Sequence, residues 1–507
     1  MVAHSAPLPA TQGTLSQSIH GGKWMFLNTV VQKVLTIGTF FILARLLSPE
    51  HYGIMSVVFI IAGFADRFTT HGFDSALIQR GGEVESFLDD LWTLNVAKAL
   101  GLCTLIYFLG GILSAYFHVR DYAILISLSG LFVLIPNLAN TRQIYFFKNL
   151  DFKKIFVRDI SGYIAYTGIA LWWALVISPT VWALFYAQLG RLVVTSAMTY
   201  VLYPVLPRIR FRIAKLRTLF NYSKWISGKT MVDYFLGIID TLYVGRLLDP
   251  AALGAYSKAD SLSSIVTEPV TGIITKVGFP AYARVQGELG KLQEGFLRSL
   301  DILIALAVPV SLLLLIEGGT LVLLLLGQKW LVMVIPLKIL SIATLCFSIA
   351  RSISPLFDSI GKPDINFKAS ILQLIVSPLA LYYGTVQYGV RGTAYAMLFI
   401  SLVVLAYMIV RGRTILRLGK ESFTPLVVTV VSSVMCVTLL ELIFRALFRT
   451  GLDNLVIFVW VIFLATIYIL CLWWVGQFFS SGPRYTVSLI IKELKISQLL
   501  SGSRKHN

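Results

Sequence analysis

Charge is the first thing this 507-residue chain lacks. Asp, Glu, Lys and Arg together make up 13% of it, about half of what a soluble globular chain carries. A water-soluble enzyme is thereby excluded. Acidic residues are the scarcer sign, 25 against 43 basic, for a formal net charge of +18. In a soluble chain that excess points to nucleic acid. In an apolar one it points to Lys- and Arg-rich loops beside a membrane and to an anionic lipid or substrate, with no nucleic-acid partner. Only four cysteines are present, Cys103, Cys346, Cys436 and Cys471, all in apolar stretches without paired spacing. They read as core thiols and exclude a disulfide framework or a thiolate metal centre. The six histidines are scattered and give no metal spacing. Residues 1–20 lack the apolar run of a cleavable signal.

Apolar residues are abundant: 57% of the chain, with a mean hydropathy of +0.78. A spanning helix needs about 20 of them. Fourteen such segments are expected, near 24–47, 54–78, 91–117, 122–144, 155–177, 181–202, 220–247, 254–278, 299–316, 334–357, 366–388, 390–410, 423–444 and 455–479. The stretch at 320–326 is too short to span and reads as a re-entrant turn or half-helix. Alternate connections are basic, notably Arg142 to Arg158, Arg208 to Arg217 and Arg411 to Lys420. The others are poor in Lys and Arg, so both termini are expected in the cytoplasm. The segments Lys148–Arg158 and Arg208–Leu219 interleave basic with apolar residues and are expected on the anionic inner surface.

The segment Ala44-Arg45-Leu46-Leu47-Ser48-Pro49-Glu50-His51-Tyr52-Gly53 returns 201 residues later as Gly245-Arg246-Leu247-Leu248-Asp249-Pro250-Ala251-Ala252-Leu253-Gly254. At the same offset Lys23-Trp24 matches Lys224-Trp225, and Ser56 matches Ser257. Six helices separate the copies, an even number, so the repeats run parallel. The fold class is therefore an all-α integral membrane protein of two six-helix repeats plus two C-terminal helices. The expected division is a cytoplasmic tail (1–20), an N-terminal lobe (21–210), a C-terminal lobe (211–420), two added helices (421–480) and a basic tail (481–507).

Charge inside a spanning helix costs about 2.5–3.5 kcal/mol on insertion scales, so each instance requires a partner or water. Lys33, Arg67, Lys98 and Arg191 make the N-terminal half basic within the membrane. Asp233, Asp240, Asp260 and Glu268 make the C-terminal half more acidic, with Lys258 an exception. In the eighth segment Ser257, Ser261, Ser264, Glu268, Thr271 and Thr275 fall on one helical face, and helix 1 carries Asn28, Gln32, Thr36 and Thr39 on one stripe. The first two helices of each half are expected to line a water-filled cavity. Basic walls suit phosphate oxygens. A carboxylate removed from water binds a proton more readily, which makes the four acids candidates for coupling to an ion. The other reading is that some of these charges pair across the bundle and lock one conformation. Ser227-Gly228-Lys229-Thr230 imitates the end of a phosphate-binding loop, but Ser223 stands where its first glycine belongs and no strand precedes it. No ATP site and no cofactor are expected.

The repeated "ARLLSPEHYG" segment, Gly72-Phe73-Asp74-Ser75-Ala76-Leu77-Ile78-Gln79-Arg80, Asn149-Leu150-Asp151-Phe152-Lys153 and Gly361-Lys362-Pro363 together resemble bacterial polysaccharide-unit flippases. These belong to the multidrug/oligosaccharidyl-lipid/polysaccharide exporter superfamily, and the resemblance is to the colanic, teichuronic and xanthan-type subgroup, over about residues 18–420. It implies a V-shaped pair of six-helix lobes in the inner membrane that open alternately to either side. It also implies an undecaprenyl-diphosphate-linked oligosaccharide moved to the periplasmic leaflet, work alongside a polysaccharide polymerase or export machinery, and a cationic cavity. Lys33, Arg67, Lys98, Arg191 and Lys258 are the residues in place to bind that substrate. Asp233, Asp240, Asp260 and Glu268 are in place to couple transport to a proton or sodium gradient. An exporter of cationic drugs on the same fold remains open, although the basic N-terminal half opposes it. A membrane glycosyltransferase or polymerase would carry longer external loops, so no enzyme is expected.

Overall fold

The computed structural model describes residues 12–69, 85–149 and 151–447. Among these residues every regular element is helical, as lipid requires: backbone groups removed from water must be satisfied within the segment. In chain order the helices are α1 (Gln12–Leu46), α2 (Pro49–Thr69), α3 (Glu85–Tyr116), α4 (Ala123–Leu128), α5 (Leu131–Asn137), α6 (Ile144–Lys148), α7 (Phe152–Trp172) and α8 (Val181–Leu202). There follow α9 (Ile213–Leu247), α10 (Pro250–Ser263), α11 (Thr267–Val285), α12 (Leu289–Leu325), α13 (Val334–Ser359), α14 (Pro363–Leu416) and α15 (Thr424–Leu447).

The repeat is visible in the helix boundaries. The helices α1 and α9 are both 35 residues long, and they start at 12 and 213 and end at 46 and 247, an offset of 201 at each end. The following helices start at Pro49 and Pro250, again 201 apart, and proline at a helix start needs no N–H partner. Twelve of the fourteen expected spans fall wholly on described residues; the second, 54–78, is described as far as residue 69, and the last, 455–479, lies outside them, as does the Gly72–Arg80 segment. Nine described helices are individually long and apolar enough to cross a membrane, ten if the bent pair Arg120–Asn137 and Thr141–Lys148 is one span. The helix α14 counts once but holds two. Its 54 residues would stretch about 80 Å, far beyond a bilayer core of about 30 Å. A break at Gly389, with φ +58°, divides it. The arms fold back so that the Thr385 and Thr393 hydroxyls meet at 2.9 Å and Gly384 faces the Gly392 backbone.

Four expectations change. The 320–326 stretch is no separate half-helix: it continues the 37-residue α12, whose length lets it project beyond the bilayer core. Helix α1 begins at Gln12, twelve residues before the first expected span. The eighth segment is not one helix, since a turn at Ser264–Val266 separates α10 from α11. After the connection Tyr203–Arg212, helix resumes at Ile213, seven residues before the expected start of the 220–247 span.

The chain forms two compact units. One comprises residues up to Ile238 together with Asp249–Gly254; the other comprises Ile239–Leu248 and Ala255 onward. In the first unit the starts of α2 and α10 cross. A Cβ on Gly53 would run into the Pro250 carbonyl, and one on Gly254 into the Pro49 carbonyl. The conspicuous repeat motif is thus a reciprocal contact that only glycine permits. In the second unit α11 to α14 enclose a core that includes Tyr282, Phe296, Ile353, Phe357, Ile400 and Met408. A buried hydrogen bond of 2.6 Å from the Thr429 hydroxyl to Asp301 fastens α15 to α12.

Candidate functional site

In the first unit the membrane-embedded cations lie on separate helices. Arg67, near the end of α2, is half-buried and stacks on the Tyr234 ring with its guanidinium carbon 4.9 Å from the centroid. The Tyr234 hydroxyl donates to the Ile60 carbonyl at 3.0 Å. Gly63 leaves room for that hydroxyl, because a Cβ there would collide with it. Arg191 of α8 repeats the device, 4.9 Å from the Tyr163 ring centroid, with Gly162 against its stem. Flat guanidinium on an aromatic face is favourable and fixes the plane of a fork-shaped donor. Lys98 is half-buried on α3 and Lys33 exposed on α1. Asp233, in this unit, is exposed beside Tyr234.

Most of the polar stripe of α1 faces protein. The Asn28 side-chain amide donates to Asp159 of α7 at 3.0 Å, and Gln32 donates to Asn28 at 2.9 Å and to the same carboxylate at 3.4 Å. The Thr39 and Thr167 hydroxyls lie 2.8 Å apart. Arg158 donates to Asp159 at 2.8 Å and to Gln143 at 2.8 Å. A buried amide needs such partners, so Asn28, Gln32 and Thr39 form a seam between α1 and α7, while Thr36 is exposed.

The second unit holds the remaining acids. Asp240 is buried and accepts hydrogen bonds from the Tyr256 hydroxyl at 2.6 Å and the Thr241 N–H at 2.8 Å. Asp260 is half-buried and lies within electrostatic reach of Asp240, Glu268 and Arg351. Glu268 is exposed and Lys258 half-buried. The structure thus gathers Asp240, Asp260 and Glu268 around one neighbourhood. It leaves Asp233 in the other unit. The hydroxyl stripe of α10 and α11 is largely self-satisfied: Ser261, Ser264, Thr271 and Thr275 each donate to a carbonyl of their own segment. Thr271 is buried.

Sequence reasoning passed over Asp159 and Arg351, although both are charges within expected spans and met the criterion applied to the others. No sequence signal announced that Tyr234 and Tyr163 would lie under the two arginines. Among the described residues no group of three or more His, Cys, Asp or Glu residues is arranged to hold a metal ion.

Long apolar helices, a duplicated helix set and charges held inside spanning segments define a multi-pass membrane transport protein. Residues 42–335, more than half of the chain, match the family described as polysaccharide biosynthesis protein, and the chain belongs to that family. It is 26% identical over 402 residues to the lipopolysaccharide biosynthesis protein WzxC of Escherichia coli (strain K12), covering 78% of this chain and 80% of that one. It is 22% identical over 364 residues to the succinoglycan biosynthesis transport protein ExoT of Rhizobium meliloti (strain 1021), covering 71% and 73%. Among solved structures, the lipid II flippase MurJ in an inward closed conformation superposes with a TM-score of 0.70 at 12% identity, over 90% of this chain and 99% of that one. At that identity the likeness is one of fold.

Proposed function

We propose that the protein flips an undecaprenyl-diphosphate-linked oligosaccharide repeat unit from the cytoplasmic to the periplasmic leaflet of the bacterial inner membrane, with both termini in the cytoplasm. The observation that carries this reading is the pair of half-buried, tyrosine-backed guanidiniums, Arg67 and Arg191, inside spanning helices of a polysaccharide biosynthesis protein. Guanidinium forks match phosphate oxygens bidentately. The helices α2 and α8 start from the same face of the membrane. Arg67 lies 18 residues and Arg191 ten residues along them, hence about 27 and 15 Å from that face. A diphosphate meets Arg67 on the cytoplasmic side and Arg191 near mid-depth, with Lys33, Lys98 and Lys258 supplying further positive charge. Asp240, Asp260 and Glu268, with Asp233 in the other unit, are the groups through which a proton or sodium gradient drives the cycle. The two six-helix repeats form the moving lobes, and a polysaccharide polymerase or export machinery takes the product.

The test is deletion of the gene in its host, with rescue by wild type and by Arg67→Ala. Lipid-linked repeat units are expected to accumulate in the cytoplasmic leaflet and to clear with wild type, while Arg67→Ala restores less than about a tenth of polymer export. Unchanged intermediates together with lost resistance to cationic compounds would replace the flippase by a drug exporter.

A further inference from the structure

The connection Tyr203–Arg212, between α8 and α9, is a rigid strap. The N–H groups of Arg208, Arg210 and Arg212 donate in turn to Asp89 at 3.3 Å, Thr93 at 3.0 Å and Asp90 at 3.0 Å, all near the start of α3. Alternate N–H groups turned to one side are the mark of an extended chain, here laid along a helix instead of another strand. The Arg212 guanidinium closes a fork on Asp90, with Nη2 to Oδ2 at 2.8 Å, and those hydrogen bonds hold its pKa above the ordinary value. At the other end the buried Asn140 amide donates to the carbonyls of Tyr203 at 3.0 Å and Val205 at 2.8 Å.

What the strap presents outward is unusual for a connection. Leu206 is 76% exposed, Ile209 82% and Phe211 56%. The side chains of Arg208 and Arg210 are exposed, and no carboxylate among the described residues pairs with them. In an extended segment neighbouring side chains point to opposite faces, so Ile209 and Phe211 share one face while Arg208 and Arg210 share the other. The strap leaves one spanning helix at Leu202 and runs beside the first turns of another, which places it at the edge of the hydrocarbon. Apolar side chains there enter the acyl region and guanidiniums meet headgroup phosphates.

We propose that this strap is a binding element for anionic phospholipid of the adjoining leaflet, with Arg208 and Arg210 on the phosphates and Ile209 and Phe211 in the acyl layer. Asp89 and Asp90 are its positioning residues: Asp89 is paired with Arg142 and Asp90 with Arg212, and they bind the strap's backbone while leaving the Arg208 and Arg210 guanidiniums outward. The site is separate from the arginines assigned to the transported substrate and stands whether or not the flippase reading holds.

The test uses the purified full-length protein in detergent, titrated with phosphatidylglycerol, phosphatidylcholine or inorganic phosphate. Bound lipid is counted by native mass spectrometry and followed by the thermal midpoint. Phosphatidylglycerol is expected to be retained and to raise the midpoint. Arg208→Gln with Arg210→Gln should weaken it about 30-fold, at about 1 kcal/mol per basic residue, without altering the lipid-free midpoint. Ile209→Ser with Phe211→Ser should weaken phosphatidylglycerol and phosphatidylcholine alike, and inorganic phosphate should leave the midpoint where it was. Unchanged phosphatidylglycerol affinity in the double arginine variant would overturn the proposal and leave the strap to a protein partner. So would an equal effect from inorganic phosphate.

Discussion

Gly53 and Gly254 show how much one atom decides. Each sits where the opposite repeat's proline carbonyl occupies the place of a Cβ, and the backbone on both sides is helix that cannot easily yield. Gly53→Ala and Gly254→Ala are each expected to lower stability by roughly 1–3 kcal/mol, the usual range for overpacking, whereas alanine at Gly38 or Gly101, which meet open space, should be nearly neutral. Thermal unfolding of the purified variants checks this. Equal midpoints for all four would contradict the contact. The repeat was legible in the sequence because glycine and proline carry backbone meaning at single positions. Its purpose was not, since a motif announces a special conformation without naming what approaches it. Arg67 and Arg191 present the same division. Their unusual placement follows from hydropathy alone, while their tyrosine supports depend on how α2 meets α9 and α7 meets α8.

At the level of elements, apolar length located the spans well, including both arms of α14, because lipid imposes a fixed thickness on every crossing. It failed where a helix outruns the bilayer, as α12 does, and where a turn interrupts polar sequence, as between α10 and α11. Periodicity also placed a polar face on α1 without saying what meets it. Asn28 and Gln32 share a face, but a polar face is equally served by water or by a partner such as Asp159, and only packing distinguishes the two. Basic and apolar residues alternate along the strap, a pattern that suggests the membrane surface without fixing the backbone form. Its two prolines, Pro204 and Pro207, and its bonds to α3 favour the extended form. Replacing Asp90 with Ala removes the acceptor for the Arg212 N–H and guanidinium. That variant should expose the backbone after Arg208 and Arg210 and raise limited-trypsin cleavage there several-fold. Cleavage at the wild-type rate would show that the strap does not depend on α3.

Across the whole molecule a duplicated helical scaffold carries an uneven distribution of charge. The first unit carries Arg67, Lys98 and Arg191; the second gathers Asp240, Asp260 and Glu268. That asymmetry suits an anionic cargo and a cationic driver handled by different parts of one chain. The most direct measurement is flipping by the purified protein in sealed vesicles. An undecaprenyl-diphosphate-linked oligosaccharide is placed in one leaflet and its sugar is scored by a membrane-impermeant glycosidase outside. Wild-type protein is expected to bring the sugar into reach at a rate set by an imposed proton or sodium gradient, and Arg67→Gln and Arg191→Gln are each expected to slow it at least tenfold while leaving the midpoint unchanged. Sugar that stays protected with wild-type protein, or passes equally fast with both arginines replaced, would contradict the flippase reading.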